Sequence, residues 1–206
     1  MLRTLLGSVL FMAAASGASA AVMTFDDIWA NYGAFDSSLG DIAHLDVSNR
    51  TRNGFGNSSV YEQHIEHWRR GYSELRDVAY ASRDGRIGEL QFVPDSAYEV
   101  TIESFDVGTW WNGRRRMASF YIFDSDWNQI WSLEDAVFSG HSTTVFANVT
   151  GAAYFQWGSD WNVGIDNLNY SVDSNLTAVP LPASLPLLGL GLLGLGLAGR
   201  RRSQRG

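Results

Sequence analysis

The segment HIEH, from His64 to His67, contains side chains of the types that ligate metals. On a strand, His64 and Glu66 share one face and His67 points away, whereas on a helix the two histidines pair and Glu66 turns aside. Neither geometry brings all three side chains together, and the i, i+4 histidine pair of a zinc protease helix is absent. The pattern therefore favours a hydrogen-bonded polar surface patch over a catalytic metal centre.

A second group of oxygen ligands lies in the segment DSDWNQIWSLED, residues 124–135. Asp124, Asp126 and Asn128 occupy the first, third and fifth positions of an EF-hand-like loop. The sixth position of that loop needs glycine for a sharp turn, but this sequence has Gln129 there. The segment is more typical of a hairpin turn, in which Asp and Asn are common.

The two ends of the central region supply a better calcium hypothesis. Asp26 and Asp27 lie on or near the first expected strand, and Asp166 lies on the last. If these strands are neighbours in the fold, their carboxylates and nearby carbonyls could provide the six to eight oxygens that Ca²⁺ requires. We therefore predict a structural calcium ion at Asp26, Asp27 and Asp166, which would stabilise the fold rather than take part in catalysis.

Aromatic residues next to arginine suggest a glycan-binding site. Trp110 and Trp111 precede Asn112, Gly113 and Arg114, a pattern typical of a hairpin tip. Adjacent strand residues face opposite ways, so one indole is expected in the core and the other in solvent. An exposed indole can pack against the C–H face of a sugar while polar neighbours bind its hydroxyls. The competing interpretation is that most tryptophans pack in the core. Further candidates are Trp127, Trp131, Trp157 and Trp161.

The sequence contains no distinct catalytic constellation. Two carboxylates about 5 to 10 Å apart would form a glycosidase pair, but the sequence does not mark which two. The G-x-S-x-G elbow of serine hydrolases is absent. The first hypothesis is therefore a non-enzymatic binding or structural module, and the alternative is a secreted glycan-active hydrolase that uses a carboxylate pair.

Short β-rich segments separated by Gly, Asn and Asp turns follow one another through the middle of the chain. In YEVTIESF, residues 98–105, Val100, Ile102 and, after a slip, Phe105 would face one way, as in a half-buried antiparallel strand. Residues 61–77 are ambiguous between a strand followed by a loop and a short helix. With no long amphipathic helix, the pattern predicts an all-β fold, an antiparallel β-sandwich of the jelly-roll type.

Composition narrows the classes of partner. The sequence has no cysteine, which excludes disulfides and cysteine-ligated metals. Ten of the 15 basic residues and all 22 acidic ones lie between Asp26 and Asp173, so this region carries a formal net charge of −12. Such a region repels nucleic acid and anionic membrane surfaces but is compatible with cations and neutral glycans. The roughly 155 residues between the two terminal segments, residues 21–176, are the size of one domain.

The N-terminal residues have the three parts of a secretory signal peptide. Arg3 precedes an apolar stretch from Leu5 to Ala15, and the small-residue pattern Ala18, Ser19, Ala20 follows. We therefore expect a signal helix over residues 1–20, cleaved after Ala20, followed by a β-sandwich ectodomain over residues 21–176.

The C-terminal residues resemble a membrane segment. Residues 181–199 are uncharged and have about the ~20 residues needed to cross a bilayer. Glycines and prolines make the insertion only modestly favourable. An arginine cluster follows at residues 200–205, and its first members, Arg200, Arg201 and Arg202, would stay on the cytoplasmic side of the inner membrane by the positive-inside rule.

The order of motif, apolar stretch and arginine cluster resembles the PEP-CTERM class of sorting signals. Gram-negative bacteria process these signals with a membrane transpeptidase called exosortase. Residues 177–206 contain the motif Val179, Pro180, Leu181, Pro182, Ala183, which is similar to the VPLPA variant of the class, although the eponymous Pro-Glu-Pro is absent. The resemblance implies that the tail is removed at the inner membrane and that the body reaches the cell surface or the exopolysaccharide matrix. A plain tail anchor is the alternative.

The central region carries a weaker resemblance. The segments MTFDDIWANYGAF, GYSELRDVAYA, GELQFVPDSAYEVTIESFDVGTW and WNVGIDNLNYS are similar to jelly-roll ectodomains that precede PEP-CTERM signals. Such ectodomains are similar in architecture to galactose-binding-like carbohydrate-binding modules, in which a structural calcium is common. The resemblance implies a jelly roll and names no ligand.

Overall fold

A computed structural model describes residues 19–26, 31–158 and 161–175. These residues belong to the first of two compact units, residues 1–175, and the second unit, residues 176–206, lies outside the described residues. The expected signal helix up to residue 18, the membrane segment and the sorting motif also lie outside them. In the described part of the chain, no helix is long and apolar enough to span a bilayer.

The described residues form two antiparallel sheets, as the sequence predicts. The seven-stranded sheet, sheet A, has the order β11 (Thr143–Thr150), β8 (Tyr98–Thr109), β13 (Val163–Ser174), β6 (Leu75–Tyr80), β5 (Glu66–Tyr72) and β2 (Gly33–Ala34), with β1 (Ser19–Met23) also paired to β13. The six-stranded sheet, sheet B, has the order β10 (Gln129–Phe138), β9 (Arg116–Phe123), β12 (Tyr154–Gly158), β7 (Ile87–Pro94), β3 (Leu45–Arg52) and β4 (Val60–Glu62). This all-β sandwich is consistent with a jelly roll.

The alternation of residues in β8 explains how the sheets enclose a core. Val100, Ile102 and Phe105 are all fully buried, as predicted. The alternation slips by one residue between Ile102 and Phe105. A bulge accounts for this slip: from Ile102 to Ser104 β8 advances two residues, while its partner β13 advances one. The Phe105 ring packs against Phe155 of sheet B, with centroids 4.8 Å apart. Contacts of this type between sheets bury the apolar faces of both.

Strand β13 occupies the centre of sheet A. It pairs with β8 along its whole length, from Val163 to Ser174, and its other edge pairs with β6 at Ile165 and with β1 from Leu168 to Val172. Cleavage after Ala20 would leave Ala21 to Met23 paired with β13. The first and last strands of the described region are therefore neighbours.

The outer face of sheet B contains a buried charge cluster. Glu89 of β7 is fully buried and forms ion pairs with Arg50 and Arg52 of β3, at 3.3 and 2.5 Å. The neighbouring Gln156 donates to the Glu89 carboxylate and exchanges hydrogen bonds with the backbone of Gly56. Residues 53–59 thus cover the carboxylate and shield it from water, which strengthens its pairing with the arginines.

Two local predictions receive different outcomes. The Asp-rich segment is a hairpin turn between β9 and β10, where the Asp124 carboxylate accepts hydrogen bonds from the backbone N–H groups of Asp126 and Asn128. The hairpin tip expected at Trp111 is wrong, because β8 lies in sheet A and β9 in sheet B. The chain crosses between the sheets there through one helical turn, α1 (Trp110–Gly113).

Residues 61–77, which were ambiguous in sequence, contain strands and no helix.

Gly113 closes this crossover. Its φ is +82°, and a Cβ at this position would lie 2.0 Å from the carbonyl oxygen of Gly140, whose N–H donates to the Gly113 carbonyl. We expect Gly113→Ala to lower the free energy of unfolding by about 3 kcal/mol, because left-handed strain and a backbone collision add together. Urea denaturation measures this loss.

Gly151→Ala is the matched control for Gly113→Ala. Gly151 has a similar φ of +85°, and a Cβ there meets no atom within 4 Å. The free energy of unfolding of this variant should fall only by the cost of the left-handed conformation, about 1 kcal/mol. Equal losses in the two variants would contradict the proposed collision at Gly113.

Candidate functional site

An aromatic pocket opens where the ends of β5 and β6 approach α1. Its volume is about 550 Å³, within the ~300–1,000 Å³ typical of small-molecule sites. Seven of the eleven residues that line it are aromatic. The lining residues are Tyr32, Tyr61, Trp68, Tyr72, Tyr80, Ser82, Arg83, Asp84, Arg86, Trp110 and Trp161.

Trp110 lies at the centre of the aromatic cluster. Its ring centroid is 4.9 Å from that of Trp68, 5.2 Å from Tyr72 and 5.9 Å from Trp161. The backbone N–H of Trp110 donates to the backbone carbonyl oxygen of Asn162 at 2.8 Å, which ties α1 to the start of β13. The Trp110 indole lies over Gly71, where a Cβ would approach it to 2.7 Å. A glycine at this position therefore gives the indole room to pack.

Two buried tyrosines anchor the base of the pocket. The Tyr72 hydroxyl donates to the backbone carbonyl of Trp161, and the Tyr80 hydroxyl donates to Oε2 of Glu66. Burial raises the pKa of Tyr80 far above its usual range, and the hydrogen bond and negative charge of Glu66 raise it further. The Tyr80 hydroxyl therefore remains a proton donor at physiological pH.

The polar side of the pocket contains hydrogen-bonding groups without protein partners. Among the described residues, neither Oγ of Ser82 nor Nε of Arg86 has a hydrogen-bond partner, and Ser82 is 8% exposed. The Arg86 guanidinium lies 4.4 Å above the Tyr61 ring. Unpartnered buried polar atoms beside an open cavity can bind hydroxyl groups of a ligand.

The structure separates the residues of the expected glycan site. Trp110 is half-buried in the pocket, whereas Trp111 is 62% exposed and lies outside the pocket lining. The Arg114 guanidinium lies 4.4 Å from the Trp111 ring centroid, so these two form a cation–π pair on the surface. One indole therefore faces inward and the other outward, but on a helical turn rather than on a strand.

The further tryptophan candidates lie in different environments. Trp161 lines the pocket. Trp157 is fully buried in the core, and the half-buried Trp131 packs against the edge of that core. Trp127 stacks on Tyr154 with centroids 3.8 Å apart. The interpretation that tryptophans pack in the core holds for Trp157 but not for the pocket residues.

Sequence reasoning missed several pocket residues, among them Trp68, Tyr72 and Tyr80. All three lie within or just after residues 61–77, the segment whose secondary structure was ambiguous. The signal that could have identified them is a concentration of aromatic residues in a segment with strand propensity. Their convergence with Trp110 needed the pairing of β5 with β6, which no local pattern contains.

The aspartates expected to bind calcium lie partly together. The pairing of β1 with β13 brings Asp26 near Asp166, which is 6% exposed and directly opposite Asp106 of β8. Burial raises the pKa of Asp166 to about 7, the charges of Asp26 and Asp106 raise it as well, and backbone N–H groups oppose the shift. Asp27 lies outside the described residues. The calcium site stays a prediction.

The HIEH segment lies partly on a strand: His64 and Ile65 precede β5, and Glu66 and His67 begin it. His67 is fully buried, and its Nε2 lies 2.9 Å from Oδ1 of Asp77. His64 and Glu66 lie together with Glu62, and donor atoms of these three residues are all within 4.8 Å of one another. The polar cluster therefore includes Glu62 and excludes His67.

Comparison with known proteins identifies the sorting signal. Residues 178–202 match the model of the PEP-CTERM protein-sorting motif. The chain thus carries a PEP-CTERM sorting signal, as the C-terminal residues predict, and this signal implies export and processing at the membrane by an exosortase.

No curated protein matches the chain. Among solved structures it is similar to the enzymatically active domain of tailspike protein 4 of bacteriophage CBA120, with 14% identity and a TM-score of 0.22. The match covers 66% of this chain and 20% of the tailspike chain. At this TM-score the likeness carries no argument.

Asp166 should make the stability of the fold depend on pH. Its folded pKa of about 7 exceeds the unfolded value of 3.8, so between these values the folded state binds more protons. The resulting stabilisation is lost as the pH rises through 7, at no more than about 1.4 kcal/mol per pH unit. As the pH rises from 4 to 8 in EDTA, the free energy of unfolding of the wild type should therefore fall relative to that of Asp166→Asn. Urea denaturation at each pH measures this difference.

The exposed Asp46 of β3 provides the control for this titration. Asp46→Asn should follow the wild-type pH profile, and a pH-independent difference between Asp166→Asn and wild type would contradict the assignment. Adding Ca²⁺ at pH 8 tests the calcium prediction separately. A bound ion should raise the Tm of the wild type and not that of Asp166→Asn.

Proposed function

We propose that this PEP-CTERM-sorted protein is a non-enzymatic surface protein that binds a glycan in its aromatic pocket. The observation that carries the proposal is the clustering of Trp68, Trp110 and Trp161 around one cavity, next to unpartnered polar atoms of Ser82 and Arg86. The signal at residues 178–202 supports delivery out of the cell.

The chemistry of the pocket suits a sugar ring. Indole and phenol faces favour the C–H face of a pyranose, whose hydroxyls need donors and acceptors at the ring edge. Such groups are offered by four lining residues that are close in sequence: Ser82, Arg83, Asp84 and Arg86. The pocket thus combines aromatic faces with polar groups, as a ring with both kinds of surface requires.

The charge of the body favours a neutral glycan. A net charge of −12 between Asp26 and Asp173 opposes the approach of nucleic acids and acidic polysaccharides. We place the protein at the cell surface or in the exopolysaccharide matrix of a Gram-negative bacterium, where neutral polysaccharide segments are available after exosortase processing.

Replacing the central indole should weaken binding. On an array of neutral glycans, Trp110→Ala should weaken binding at least tenfold, or about 1.4 kcal/mol, whereas Trp111→Ala should change it less than twofold. Tyr32→Ala is a second pocket variant; this side chain is 69% exposed, so its loss should leave the fold intact. Equal effects of Trp110→Ala and Trp111→Ala would place any binding outside the pocket.

The same experiment tests the hydrolase alternative. Asp84 is the one carboxylate among the lining residues described above. Release of reducing ends from a bound glycan, lost on one Asp or Glu substitution, would favour a hydrolase over a binding module. Binding without release supports the proposal, and neither binding nor release across the array would overturn it.

The sorting signal predicts a processed C-terminus. Intact mass of the protein from its native host should lack about the first 20 residues and the tail. Replacing residues 179–183 with Gly and Ser should leave the tail in place and the protein in the inner membrane. Gln204→Ala, outside the matched residues 178–202, should be processed normally. An unprocessed C-terminus in every form would mean a plain membrane anchor.

A further inference from the structure

The chain segment that crosses from β4 of sheet B to β5 of sheet A holds a second cluster of ligating side chains. Glu62, His64 and Glu66 are all half-buried, and each places a donor atom within 4.8 Å of the other two. We propose that these three residues bind a divalent transition-metal ion. This site is separate from the aspartates near β13.

The connection between β4 and β5 brings the three side chains together. Glu62 ends β4, Glu66 begins β5, and His64 lies between them, after a bend at Gln63 and before the fully buried Ile65. Oγ1 of Thr51 donates to the His64 carbonyl at 2.8 Å, and the Ile65 N–H donates to Oδ1 of Asn49 at 3.0 Å. Two side chains of β3 therefore fix the segment in the conformation that metal binding needs, which lowers the entropic cost of binding.

The distances between the donor atoms of these side chains are close to the distances between ligand atoms around a metal ion. Two ligand atoms at about 2.1 Å from a tetrahedral zinc ion lie about 3.4 Å apart. Nε2 of His64 lies 3.6 Å from Oε2 of Glu62, so this pair already has nearly that spacing. The third ligand, within 4.8 Å, reaches the ion through small side-chain rotations.

Glu66 also has a partner that orients it. The Tyr80 hydroxyl donates to Oε2 of Glu66, which leaves Oε1 available to the ion. Hydrogen bonds of this type to the ligands commonly fix ligand orientation at metal sites. Because Tyr80 lines the aromatic pocket, the ion would lie behind the pocket wall rather than inside the cavity.

The donor set determines the class of metal. Imidazole with two carboxylates suits Zn²⁺ and similar first-row ions, whereas Ca²⁺ takes six to eight oxygens. Three protein ligands leave one tetrahedral position for water. The ion is expected to stabilise the crossover between the sheets, because it binds the folded arrangement and not the unfolded chain.

Zinc titration of the untagged, metal-stripped full chain in detergent tests the site without any glycan. Calorimetry should give one Zn²⁺ per chain, and a hundredfold excess over Kd should raise the Tm by about 8 °C. Glu62→Gln and His64→Gln should each weaken binding at least tenfold. Tyr80→Phe, which keeps all three ligands, should weaken it by a smaller factor.

His44→Gln is the matched control. His44 is an exposed histidine whose Nδ1 lies 2.9 Å from the Asp95 carboxylate, and it is not part of the three-ligand cluster. This variant should bind Zn²⁺ as tightly as the wild type. No zinc binding, or unchanged affinity in folded His64→Gln, would overturn the proposal. Glycan binding is not measured in this experiment, so its outcome is independent of the proposed function.

Discussion

Sheet A depends on its last strand. β13 lies between β8 on one edge and β6 and β1 on the other, so without it the seven-stranded sheet would separate into parts. Its inward residues Ile165, Leu168 and Tyr170 are buried, and the Tyr170 hydroxyl donates to the backbone carbonyl of Gly40. Pairing between strands distant in sequence has to precede most of the burial that stabilises this fold.

The last strand of the sandwich lies close in sequence to the sorting motif. β13 ends at Ser174, and the matched sorting motif begins at residue 178. The strand that completes sheet A is therefore followed almost directly by the signal that an exosortase processes. Cleavage within or after the motif leaves every strand of the sandwich intact, because no described strand extends beyond Ser174.

The register of β13 also builds the candidate pocket. Val163 pairs with Thr109, so the residues just outside these pairs, Asn162 and Trp110, meet at the same end of the sheet. Their backbone hydrogen bond holds the indole against β5. Asn162 and Trp110 thus lie where strands end and the chain crosses between sheets, while paired strands supply the rigidity that keeps them in place.

The sequence by itself determined the sorting signal, the all-β class and the inward face of β8, because each depends on residue order or on the alternation of neighbours. It also indicated that one of Trp110 and Trp111 would lie in the core and the other in solvent, and the structure has Trp110 half-buried in the pocket instead of in the core. Only the tertiary structure decided that α1 crosses between sheets, that Trp68 and Tyr80 join Trp110, and that Glu62 replaces His67 beside His64. These outcomes depend on which strands pair, and pairing is set by the burial of whole sheet faces rather than by any local pattern.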